Sequence, residues 1–166
     1  MKVKIKRLSN DAVIPKYAKQ GDSGFDLVAT EDVVIAPGET KVVPTGLAFD
    51  IPDFWEIQVR PRSGVTTKTT LRVQLGTIDS GYKGEVGVIV DNISRDNWSN
   101  AARALNNSYV EKTRGLVPSG SYIIRRGDRI AQGVIAPVIK GIFEETDHLS
   151  ESERGEGGFG STGVTV

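Results

Sequence analysis

The chain contains no cysteine and only one histidine, His148. Disulfides, thiolate catalysis and cysteine-ligated metal centres are thereby excluded, and a single histidine cannot build a zinc or copper site. His148 lies in the polar run Thr-Asp-His-Leu-Ser-Glu and reads as a surface residue. Charge of neither sign is in excess: Lys+Arg and Asp+Glu both total 21, and the isoelectric point is about 6.6. Nucleic-acid and membrane-surface binders usually carry a basic surplus, so neither a nucleic acid nor a membrane is expected as a partner. Long hydrophobic runs are missing too. The opening Met-Lys-Val-Lys-Ile-Lys-Arg-Leu alternates charge with apolar side chains, unlike a signal peptide or a membrane span, and a cytoplasmic location is expected. Chemistry must then come from carboxylates, arginines, hydroxyls and amides, with or without a hard cation.

What is present is a period of two. Lys2–Leu8, Glu31–Ala36, Thr40–Asp50, Trp55–Arg60, Leu71–Leu75, Glu85–Asp91, Ser121–Arg125 and Arg129–Ile139 read as short strands. Turn signals such as Pro37-Gly38 and Pro52-Asp53 separate them. Nineteen glycines and seven prolines in 166 residues fit a turn-rich, all-β architecture of jelly-roll type in one domain. Helix is scarce: one short helix is expected from an N-cap at Ser63 through Leu71, and a second around Ser99–Leu105. The polar stretch from Asn92 to Gly120 is too long for an ordinary β-connection and reads as an insert, 92–120.

Five segments carry groups suited to chemistry. Asp22-Ser-Gly-Phe-Asp26-Leu is either a turn leading into a strand or two carboxylates facing one hard-cation site. Arg60-Pro-Arg62-Ser63-Gly64 stands between a strand and a helix start, where guanidinium groups and amide N–H groups suit a phosphate. The glycines of Gly76-Thr-Ile-Asp-Ser-Gly-Tyr-Lys-Gly-Glu-Val-Gly87 permit close backbone approach to a ligand, and the segment is expected to be a β-hairpin with Asp79 and Tyr82 near its bend. In Arg126-Gly-Asp-Arg-Ile-Ala-Gln132 a charged turn leads into an apolar run, where the Gln132 amide needs a partner. Arg154-Gly-Glu-Gly-Gly-Phe-Gly-Ser-Thr-Gly163 is too glycine-rich for regular structure, yet it carries an arginine, an aromatic ring and two hydroxyls. That composition suits an arm, residues 154–166, that orders over a ligand once the body, residues 1–153, is folded.

In this order the five segments resemble the five motifs of the trimeric dUTP pyrophosphatases (dUTPases). The resemblance implies a jelly-roll homotrimer of β-clip type with one short helix, and sites shared between subunits. It implies hydrolysis of dUTP to dUMP and pyrophosphate with Mg2+. By position, Asp79 would activate the water that attacks the α-phosphorus, and Tyr82 would stack under the deoxyribose and exclude a 2′-hydroxyl. Thr77, Ile78 and Gly87 would read uracil through their backbone. Arg62, Ser63, Gly64 and Gln132 would hold the phosphates, and Asp26 would hold Mg2+ through water. Arg154, Ser161 and Thr162 would close on the γ-phosphate while Phe159, followed by Gly160, caps the base. Residues just before Gly76, Gln74 among them, receive no role. The insert resembles the extra segment of dUTPases from phages and prophages of Gram-positive bacteria, a branch in which a repressor protein can be bound. Trp98, Leu105, Tyr109 and Val110 would either form such a surface or pack the insert onto the body. dCTP deaminase, which shares the fold, is the enzymatic alternative.

Overall fold

The computed structural model describes residues 1–95, 102–106, 108–110 and 118–158. In chain order the strands are β1 (Lys4–Arg7), β2 (Phe25–Val28), β3 (Val33–Ile35), β4 (Thr40–Pro44), β5 (Leu47–Asp50) and β6 (Trp55–Pro61). After helix α1 (Ser63–Lys68) come β7 (Leu71–Val73), β8 (Gly76–Asp79), β9 (Gly87–Asn92), β10 (Ala102–Ala104), β11 (Tyr109–Val110), β12 (Tyr122–Ile124) and β13 (Arg129–Pro137). They form sheets β2-β13-β6-β8, β4-β9-β7, β11-β10-β12-β3 and the pair β1-β5. Alternate residues turn inward, so Leu27, Ile35, Leu47, Ile57, Leu71, Ile124 and Ile130 are fully enclosed in one core.

Several local expectations are corrected. The run 40–50 is broken at Gly46, which has φ +64° and whose missing Cβ would lie 2.9 Å from that of Ala12. A left-handed glycine at that point sends β4 and β5 into different sheets. Ser63 is the first residue of α1 rather than its cap. Arg62 occupies the cap position with no side-chain capping bond. Without a cap, and with β-branched threonines lowering helix propensity, the helix stops after six residues. The helix expected at 99–105 is replaced by strand β10 over Ala102–Ala104, paired with β11 and β12; residues 99–101 lie outside the described residues. Ala102 and the partly buried Leu105 face the body, which favours edge-strand addition over a separate helix.

The base of the insert is closed by one buried amide. Asn92, 1% exposed, donates to the carbonyls of Ile35 and Gly120 at 3.0 and 2.8 Å and accepts from the Thr70 hydroxyl at 2.9 Å. Every polar atom of that amide is satisfied, as a buried amide requires. No helix among the described residues is long and apolar enough to cross a membrane.

Candidate functional site

Strand β8 pairs with β6, while β9 pairs with β4 and β7. The segment Gly76–Gly87 is therefore not a hairpin, as expected, but a crossing from one sheet to another. Its bend is a turn in which the Tyr82 N–H donates to the Asp79 carbonyl at 3.0 Å. Ile78 points into the core, so strand alternation sends Thr77 and Asp79 outward. The crossing encloses a cavity of about 250 Å³ lined by residues 74–79, Tyr82, residues 85–87, Val59 and Ile89.

Bonds to main-chain groups fasten the cavity's far wall. The Thr45 hydroxyl donates to the Val86 carbonyl, the Val86 N–H to the Leu47 carbonyl at 2.8 Å, and the Gly46 N–H to Glu85 Oε1 at 2.7 Å. The Tyr82 hydroxyl donates to the Glu85 carbonyl at 2.9 Å, which fixes the ring. Two glycines make room: a Cβ on Gly84 would stand 2.5–3.0 Å from the Tyr82 ring and hydroxyl, and one on Gly87 would stand 2.4 Å from Val42 Cγ1. Gln74 lines the mouth, its amide held by the Asp91 carboxylate. Lys83 ties the bend to β5 through Asp50 Oδ1 at 2.7 Å. That contact first, and Lys4 second, holds the Asp50 carboxyl below the usual carboxylate range. Asp79 forms no ion pair among the described residues.

A second cluster forms on the outward face of β2-β13-β6. Asp26 lies opposite Gln132, and Gln132 opposite Arg60. Arg62 Nε donates to Asp26 Oδ1 at 3.1 Å and Arg129 Nη1 to Oδ2 at 3.3 Å. Gly24 leaves the space that the Gln132 side chain occupies, and Gly64 lies 3.3 Å from Arg62 Nη1 at its Cβ position. The Val65 and Thr66 N–H groups turn back to the Arg62 carbonyl at 3.0 and 3.1 Å, and those of Ser63 and Gly64 have no acceptor among the described residues. Asp22 does not join Asp26: its Oδ2 accepts the Lys19 N–H at 2.7 Å, closing a turn. No group of three or more acidic or imidazole ligands occurs among the described residues. A hard cation that keeps its waters and takes phosphate oxygens needs only one carboxylate, and Asp26 is the carboxylate this cluster offers.

The two clusters are separate within one chain. Asp79 pairs with Glu56, and Arg62 lies six residues further along from that pairing point. At about 3.3 Å per residue this is roughly 20 Å. Arg154, whose Nε donates to the Gly157 carbonyl at 2.7 Å, sits on an exposed turn. Phe159, Gly160, Ser161 and Thr162 lie outside the described residues, as does Trp98. Sequence reasoning missed Arg129, Glu85 and Thr45. Only Arg129 left a signal, as the last charge before an apolar strand.

The comparisons with known proteins converge. A family model described as dUTPase matches residues 10–100 and 119–163. A deoxyuridine 5′-triphosphate nucleotidohydrolase of Gloeothece citriformis is 44% identical over 99% of this chain and 99% of its own. A dUTPase of staphylococcal bacteriophage 80alpha, solved with dUPNHPP and described as controlling transfer of virulence genes by a G protein-like mechanism, superposes with a TM-score of 0.92. It is 38% identical over 98% of this chain and 99% of its own. A mutant dUTPase from phage phi11 of S. aureus, reported with a structural Mg(II) ion, gives a TM-score of 0.84 at 28% identity, covering 91% of this chain and 100% of its own. The chain belongs to the dUTPase family and has its jelly-roll fold.

Proposed function

We propose that the chain hydrolyses dUTP to dUMP and pyrophosphate in the cytoplasm, at sites assembled between the subunits of a homotrimer. The cavity at the β8–β9 crossing takes the deoxyuridine. Its edge-exposed backbone at Thr77, Ile78 and Gly87 reads the uracil, and a cytosine would leave those groups unpaired. The Tyr82 ring, fixed through the Glu85 carbonyl and given its space by Gly84, stacks under the sugar and excludes a 2′-hydroxyl. Asp79 leads out of β8 at the rim, with no cation competing for it among the described residues. There it accepts the proton of the water that attacks the α-phosphorus.

The phosphates are held by Arg62, by the Ser63 and Gly64 N–H groups and by Gln132. Asp26 would hold Mg2+ through its waters, and the ion supplies charge neutralisation and alignment of the triphosphate. Arg154, Phe159, Gly160, Ser161 and Thr162 close the arm over the nucleotide and exclude water.

The separation of roughly 20 Å between Asp79 and Arg62 along β6 carries the shared-site reading, because no single nucleotide lets both act on neighbouring phosphate and sugar from one chain. Ile139, Ile142, Phe143 and Leu149 add to it: they are 88–100% exposed, apolar side chains that a neighbouring copy would cover. The test is complementation. D79N and R62A chains, each inactive alone, are unfolded together, refolded and assayed for pyrophosphate release from dUTP with Mg2+. Mixed trimers should regain activity, and a mixture as inactive as its parts defeats the shared site. Ammonia release from dCTP would instead favour a deaminase.

The insert supports a second, regulatory role as the docking face for a phage-type repressor. On its β10–β11 hairpin Tyr109 is 64% exposed, with the Arg103 guanidinium 5.0 Å from the ring centroid. Removing residues 93–119 while keeping the Asn92–Gly120 clasp should abolish repressor binding and leave dUTP hydrolysis intact; losing both together would assign the insert to structure.

A further inference from the structure

One cation is turned toward the phosphate side by a defect in its strand. Regular alternation back from Gln132, which shares the outward face with Asp26 and Arg60, would place Ile130 outward and Arg129 inward. The observed order is the reverse. Ile130 and Ala131 are both buried, and the pairing of β13 with β2 slips between Arg129 and Ala131. Bulges of this kind re-aim a side chain beside a site. Arg129, its side chain 60% exposed, thereby reaches Asp26 Oδ2 while Arg62 takes Oδ1. Asp26 and Arg129 open together onto a hollow of about 650 Å³ that Arg7 and Lys16 also line.

We propose that Arg129 is a positioning residue that keeps Asp26 neutralised and aimed while Arg62 leaves it for the phosphates. The inference rests on the nucleotide reading above. Arg62 carries one guanidinium, and its Nε is committed to Asp26. Phosphate oxygens, with higher charge and fork-matched geometry, compete for the same donors. Once Arg62 turns, Asp26 alone would be an unpaired carboxylate facing a polyanion. Arg129 removes that repulsion without moving, and holds in place the carboxylate proposed to receive the waters of Mg2+.

Calorimetric titration of the full chain with the imido analogue of dUTP, with and without Mg2+, tests this. R129Q should weaken Mg2+-supported binding about tenfold, the effect of losing one charge-assisted hydrogen bond. It should also reduce the tightening that Mg2+ gives and leave the melting temperature unchanged, and R129K should restore most of the loss. In a D26N background R129Q should change little, because Arg129 acts through Asp26. Equal weakening in both backgrounds would make Arg129 a direct phosphate ligand and overturn the positioning role. Unchanged binding by R129Q, or loss of folding in both R129Q and R129K, would overturn it as well. A wild-type chain that fails to bind the analogue removes the nucleotide reading itself, and this inference with it.

Discussion

The two halves of the site are held by different means. The cavity at the β8–β9 crossing is fastened through main-chain groups: Val86 is gripped through both its N–H and its carbonyl, the Tyr82 hydroxyl is tied to a carbonyl, and Glu85 accepts a main-chain N–H. The Asp26 cluster is held by long side chains sharing one carboxylate. The difference matches the two tasks proposed for them. Telling uracil from cytosine and deoxyribose from ribose requires donors and walls that do not move. Phosphates are common to all nucleotides, so their half needs charge that can change partners.

The largest effect expected tests whether the fixed half survives loss of chemistry. D79N should lower kcat by about a thousandfold, within the range for a general base, and leave binding of the imido analogue nearly unchanged. Substantial residual turnover in single-turnover kinetics would move the base elsewhere. The next prediction breaks the backbone fastening. T45V removes the hydroxyl bond to Val86 in a fully buried place and leaves a carbonyl unpaired. It should destabilise the fold by about 1–3 kcal/mol in denaturant titrations and raise KM for dUTP more than it lowers kcat. A Thr45 variant with normal KM would mean that the wall does not depend on that clasp.

A smaller effect sharpens the comparison at the sugar. G84A places a methyl group within 3.0 Å of the Tyr82 ring and hydroxyl, so the ring must leave its bond to Glu85. Discrimination between dUTP and UTP, taken as the ratio of their kcat/KM values, should fall about tenfold, the scale of one misplaced packing contact. The corresponding loss for R129Q should be the same for both nucleotides. If G84A and R129Q changed the ratio alike, the division of labour between the halves would be wrong.

Sequence reasoning reached the strands because inward Leu, Ile and Val residues alternate with polar ones, as along Trp55–Pro61. It assigned Asp79, Tyr82, Arg62 and Gln132 to candidate site segments through the order of five short motifs. It could not see which sheet each strand joins. Register depends on partners far along the chain, so a glycine-rich run between two strands read as a hairpin when it is a crossing. The insert misled for the same reason, since Ala102–Ala104 has little strand propensity and becomes a strand by adding to the edge of β12. Arg129 stayed hidden because the bulge that turns it is a property of pairing, not of composition. Thr45 looks like any strand threonine until its hydroxyl is seen against the Val86 carbonyl.

The smallest effect concerns an ionic tether on the half held through main-chain groups. Asp50 accepts from Lys83 at 2.7 Å and from Lys4 at 3.2 Å, and these cations hold its carboxyl below the usual range, Lys83 first. A carboxyl depressed in the folded state contributes stability that is fully present above its unfolded pKa and is lost as pH falls through the depressed folded value. The Asp50 carboxylate is half exposed, so solvent screening keeps this contribution small. Binding of the imido analogue should therefore weaken slightly at the acid edge, because Lys83 also bonds the Ser80 carbonyl inside the bend and its release loosens the wall. D50N should show the weakened binding already at neutral pH, with no further Asp50-linked step on acidification. If D50N and wild type instead kept parallel acid profiles by calorimetry, the tether would add nothing to a wall that Thr45, Glu85 and Val86 already hold.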